Sequence, residues 1–102
     1  MSQQELSKKL MSDLKVVVDK ARLCRDILPE SPGISSDPAL AEVVGYLEAC
    51  RDRLMDLIEA GTMGMLDEDV LEQCLKTNDV VCRTLEAEMV RIRFEAFVSA
   101  LF

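Results

Sequence analysis

Residues 71–92, LEQCLKTNDVVCRTLEAEMVRI, carry a sustained heptad pattern. Leu71, Leu75, Asn78, Cys82, Leu85, Met89 and Ile92 follow one another at spacings of 4, 3, 4, 3, 4 and 3. That alternation keeps one face of an α-helix turned toward a neighbour, so the spacing predicts a long packed helix with Asn78 on its seam. An amide on an apolar seam costs free energy unless it finds partners. The rest of the chain must say what that helix packs against.

Two more helices read out on either side of loops with clear stop signals. The first opens at SQQE, where Ser2 as N-cap and Glu5 three residues on make a capping box. Its apolar stripe is Leu6, Leu10, Leu14, Val17, Ala21, Cys24 and Leu28. Pro29 ends it, because proline disfavours helical geometry at the residue before it. The second opens at Asp37, with Pro38 in the first helical position, where the missing N–H costs nothing. Its stripe is Leu40, Val43, Leu47, Cys50, Leu54 and Leu57. Asp67 is expected to cap the third helix, and Glu68 and Asp69 favour the positive end of its dipole. The expected spans are about 3–28, 38–60 and 68–100. Three long amphipathic helices joined by short loops imply a single all-α domain, an elongated up-down-up three-helix bundle. Gly45 lies inside the second helix and away from its stripe, a cost tolerated on an exposed face.

Composition narrows the function classes. The 102 residues include 12 Lys and Arg against 19 Asp and Glu, a net charge of −7. No basic cluster of four residues occurs, so neither nucleic acid nor an anionic membrane surface is an expected partner. No apolar run approaches the roughly 20 residues that span a bilayer. The opening MSQQELSKKL is polar and lacks a signal-peptide pattern, so a cytoplasmic setting is expected. Cys24, Cys50, Cys74 and Cys82 contain no C-x-x-C pair. Reduced, buried thiols are the favoured reading over a disulfide framework or metal site, and no cofactor or metal is expected. Histidine is absent, no glycine-rich phosphate loop is present, and no nucleophile–base constellation stands out, so an enzyme is not expected.

A binding role needs surplus apolar surface. On the first helix Val16, Leu23 and Ile27 cluster on a face turned from the main stripe. Antiparallel packing brings Ala39, Leu40, Glu42 and Val43 of the second helix beside Leu23 and Ile27. Asp26 and Glu42 would edge a shallow apolar groove suited to an apolar patch rimmed by arginine or lysine. Sealing of the bundle end by the same residues is an equal reading of the pattern. At the end of the chain, FEAFVSALF places Phe94, Phe97, Val98 and Leu101 on roughly the opposite face from the Leu71–Ile92 seam. Self-association through that tail, or docking of an amphipathic partner peptide in the groove, are the competing functions.

Three stretches, KVVVDKARLCRDIL, LAEVVGYLEACRDRLMDLI and LDEDVLEQCLKTNDVVCRTLEAE, resemble in order the GAT domain of trafficking adaptors. The adaptors are the GGA proteins and, more closely, the target-of-Myb-like proteins. The likeness runs from about Leu10 to Ile92. It implies an elongated three-helix bundle that binds ubiquitin or ubiquitinated cargo during endosomal or Golgi sorting. It also implies apolar contacts at Leu23 and Ile27, an acidic contact at Glu42, and neighbouring positions at Ala39, Leu40 and Val43. A second site would fall on Val70, Cys74 and Val81. Asn78 would be a structural amide that fixes helix register across the bundle. The helical hook with which GGA proteins bind ARF GTPases is not evident ahead of the Ser2 capping box, so ARF binding is not carried over.

Overall fold

In the computed structural model, which describes residues 1–34 and 36–101, three helices follow one another: α1 (Gln3–Ile27), α2 (Pro38–Thr62) and α3 (Glu68–Leu101). Ser35 and Phe102 lie outside the described residues. The helices pack as an all-α bundle measuring 58 × 22 × 15 Å. α3 packs more extensively on α1 and on α2 than those two pack on each other. It is the spine of the bundle, and the α1/α2 seam is the loosest of the three.

Local chemistry sets the boundaries. The Ser2 hydroxyl accepts from the Glu5 N–H at 3.1 Å and starts α1. Pro29 follows the last α-helical turn, and Leu28–Glu30 tighten into a 3-10 turn. Asp37 then does two jobs. One carboxylate oxygen accepts from the N–H groups of Ala39 and Leu40 at 3.1 and 3.2 Å, capping α2. The other accepts from the Ser31 hydroxyl at 2.6 Å, and Ser31 in turn accepts from the Gly33 N–H at 3.2 Å. These bonds hold the Asp37 carboxyl below its ordinary pKa, the Ser31 bond most of all. α2 ends in a Schellman arrangement: Gly64 takes φ +80°, Met65 N–H bonds Ala60 O at 3.0 Å and Gly64 N–H bonds Gly61 O at 3.0 Å. The Asp67 carboxylate binds α1, accepting from Ser7 Oγ at 2.6 Å and from Gln3 Nε2 at 3.5 Å. It therefore latches the starts of α1 and α3 together.

The buried residues of α1 (Leu14, Val17, Ala21, Cys24) and α2 (Leu40, Val43, Leu47, Leu54) fall on the stripes read from sequence, and Val44 joins them. α3 departs from its expected phase. Its buried face is Val70, Cys74, Thr77, Val81, Thr84, Leu85 and Glu88. Relative to the Leu71–Ile92 seam this is a rotation of about one residue, roughly 100°. Leu75, Met89 and Ile92 are exposed instead. The reason is steric. α3 touches two helices at once, and small side chains at Cys74, Thr77, Val81 and Thr84 let both come close. The threonines are satisfied: Thr84 Oγ1 donates to Val80 O at 2.8 Å and accepts from Arg25 Nε at 3.1 Å, and Thr77 Oγ1 accepts from Gln73 Nε2 at 3.4 Å.

Asn78 consequently leaves the seam. It is half-buried on a flank, and its Oδ1 accepts only the weak Cys82 thiol bond at 3.8 Å, within α3, among the described residues. The expected bond across the bundle is not made, because the rotation of α3 turns Asn78 away from α1 and α2.

Two glycines in α2 make opposite predictions. A Cβ on Gly45 would meet nothing within 4 Å among the described residues, whereas one on Gly61 would lie 2.5 Å from Leu71 Cδ1. Gly45→Ala should raise unfolding free energy by about 0.5–1 kcal/mol, and Gly61→Ala should lower it, both read by urea denaturation.

Candidate protein-binding face

The face of the bundle formed by α1 and α2, turned away from α3, carries Val16 and Leu23 of α1 and Tyr46 of α2, all exposed. Val16, Lys20, Leu23 and Ile27 stand at helical spacing along one flank of α1. Tyr46 answers them from α2, with Lys20 Nζ 5.9 Å from its ring centroid. That pair marks the antiparallel register. Val16 falls level with Cys50, Leu23 with Glu42 and Val43, and Ile27 with Ala39. Val16 is 47 % exposed, Leu23 42 % and Tyr46 38 %, while Ile27 is half-buried against the core. Ala39, Glu42 and Asp26 are exposed. Glu42 sits on the outer edge of α2, and Asp26 lies about 60° further round α1 from Leu23, so a carboxylate flanks the strip on each side.

Below Lys20 and Tyr46 the two helices part and leave an open hollow of about 610 Å³. Leu10, Leu14, Val17, Leu54 and Leu57 floor it, and Asp13, Arg53 and Asp56 stand at its rim. Its size is that of a ligand-binding cleft. Partial burial, and then the neighbouring Cys50, push the Tyr46 hydroxyl above its ordinary pKa, so it stays a neutral donor at the lip.

Several expected contact residues are not on any surface. Leu40 is fully buried and Val43 nearly so, because they point from α2 into the common core. The expected second site dissolves for the same reason. Val70, Cys74 and Val81 are the seam of α3 and not its flank, and all three are buried, Val70 at the floor of a second open hollow beside Ser7, Met11 and Asp67. Leu23, Asp26, Ala39 and Glu42 are exposed, and Ile27 is half-buried. Tyr46 and the hollow were not anticipated. Tyr46 lies seven residues after Ala39 and four after Glu42, a repeat that places all three on one face.

A separate polar cluster lies on α3, where Glu95 comes against Gly33 of the α1–α2 loop. Glu88 is 2 % exposed, and neither carboxylate oxygen finds a hydrogen-bond partner among the described residues. Arg91 Nε instead donates to Glu95 Oε1 at 3.1 Å, and Arg91 Nη1 has no partner among the described residues. Burial raises the Glu88 pKa, Glu95 adds to the rise and Arg91 opposes it. The Cys24 thiol is pushed up by burial and by Glu88, with Arg25 opposing, and burial also raises Cys74. All four cysteines are free thiols. Among the described residues no three His, Cys, Asp or Glu side chains gather as a metal site, and no helix is long and apolar enough to cross a membrane.

No known protein family matches the chain, and neither does any characterised protein or solved structure.

The Glu88 environment fixes a pH dependence. A carboxyl whose folded pKa is raised binds its proton more tightly in the folded state. Its contribution is fully present below the ordinary value of 4.5 and is lost as pH rises through the raised folded value. Acidification from neutral toward that window should therefore stabilise the wild type more than Glu88→Gln, measured by urea unfolding across pH. Parallel pH profiles for the two proteins would contradict the assignment.

Proposed function

We propose that this chain is a non-enzymatic, GAT-type module that docks the apolar patch of ubiquitin on the α1/α2 face. Its role on this reading is the sorting of ubiquitinated cargo by adaptors acting in the cytoplasm at endosomal or Golgi membranes. The observation that carries the proposal is the exposed strip of Val16, Leu23 and Tyr46, bordered by Asp26 and Glu42. Apolar side chains at the centre of a patch supply most of the binding free energy, and charges at its rim orient the partner. Leu23 would be the anchor and Ile27 its support. Glu42 and Asp26 would meet the basic residues that surround the apolar patch. The three-helix bundle agrees with the fold that the sequence resemblance implies.

The hollow favours a second ligand class. An amphipathic helix could set apolar side chains at i and i+4 against Leu14, Val17, Leu54 and Leu57, with its charged flank on Asp13 and Arg53. This occupant would use the lower half of the same face.

Leu23→Ala should weaken ubiquitin binding at least about fivefold in calorimetry while leaving helicity and melting temperature unchanged. Leu40→Ala should do the reverse, lowering stability by about 2–5 kcal/mol because it empties the core. Unaltered affinity in Leu23→Ala at full helicity would remove the site from this strip.

A further inference from the structure

The outer face of α3 changes character along its length. Where α3 backs the bundle, the stripe opposite the core is charged and internally paired: Glu72 with Lys76 at 3.1 Å and Asp79 with Arg83 at 3.2 Å. From Val90 onward the same stripe becomes Val90, Phe94, Phe97 and Leu101, which are 65, 64, 61 and 62 % exposed. Counted at about 100° per residue, these four fall within a band roughly 60° wide, on the side of α3 away from Val81, Thr84 and Glu88. The core-ward side of this segment is occupied, since Glu95 pairs with Arg91 and lies against Gly33. The bundle therefore cannot fold over the apolar stripe without giving up that anchorage.

We propose that the stripe is the interface of a two-fold, antiparallel homodimer. Its spacing is 4, 3 and 4, which reads the same in both directions. An antiparallel partner sets Val90 against Leu101 of the second copy and Phe94 against Phe97, twice over, with four phenylalanines at the axis. Charge favours this direction. Arg93 of one copy comes beside Val98 of the other, so like charges do not meet. The acidic bodies, each part of a chain of net charge −7, lie toward opposite ends of the pair. A parallel pair would set Arg93 level with its own counterpart and both bodies side by side. The area suffices for a modest dimer. The four side chains expose on the order of 450 Å² per copy, and the stem of Arg93 extends the patch toward the total of roughly 1,000 Å² at the lower limit for a specific interface.

Sedimentation of the full chain tests the proposal at concentrations from about 5 to about 500 µM. A monomer–dimer equilibrium is expected, weakened about tenfold or more by Phe94→Glu, Val90→Lys or Leu101→Glu with helicity retained. Val90→Lys and Leu101→Glu combined should restore the dimer, because antiparallel pairing sets each lysine against a glutamate. A double variant no tighter than either single one would overturn the antiparallel arrangement. A monomer at every concentration, an open-ended assembly, or a dimer indifferent to Phe94→Glu would overturn the interface. In the first case the stripe belongs to a different protein or to a lipid surface.

Discussion

The arrangement of this bundle follows from one steric constraint: α3 has to meet α1 and α2 along a single narrow seam. Cys74, Thr77, Val81 and Thr84 are small enough for that, and all four are buried. Larger side chains at those positions would push one neighbour away. The seam gives up apolar area for close approach, and its hydroxyls are returned to the backbone at Val80 and to Arg25. With both neighbours drawn to α3, their mutual contact is the thinnest in the fold. The hollow below Tyr46 and the open strip around Leu23 are the outcome. A surface suited to a partner thus arises from how the core is packed.

Helix positions and two of the three core faces were legible in the sequence. Ser2, Asp37 and Pro38 mark starts by local hydrogen-bond chemistry, and the stripes of α1 and α2 are apolar enough to fix their phase. The phase of α3 was not legible, because hydropathy alone ranks Leu75 and Met89 above Thr77 and Thr84. Only contact with two neighbours reverses that order, and contact is a tertiary property. Asn78, Val70, Cys74 and Val81 were all assigned from the wrong phase and move together when it is corrected. The groove residues divide by helix. Leu23 and Ile27 depend only on the phase of α1, which was right. Leu40 and Val43 were given both to the core stripe and to the surface, and the core claims them. Tyr46 went unnoticed because the hollow beside it depends on the splay of α1 from α2, which no local pattern encodes.

Two unpaired features stand on different sides of the molecule. Glu88 is a buried carboxyl with no hydrogen-bond partner among the described residues, two turns before Glu95, which lies against Gly33 of the α1–α2 loop. It sits on the inner side of α3, and the Val90–Leu101 stripe occupies the outer side of the next turns. The Arg91–Glu95 pair lies between them, with Glu95 against Gly33 of the loop. The end of α3 is therefore polar on one side and apolar on the other. The α1/α2 strip lies on neither of these surfaces, so a ligand there and a second copy on α3 can be bound together.

The direct test of the proposed binding face is a titration of isotope-labelled protein with unlabelled ubiquitin, followed residue by residue by NMR. The account predicts shifts clustered at Val16, Lys20, Leu23, Glu42 and Tyr46, with α3 unmoved. Shifts confined to α3, or none at near-millimolar ubiquitin, would contradict it.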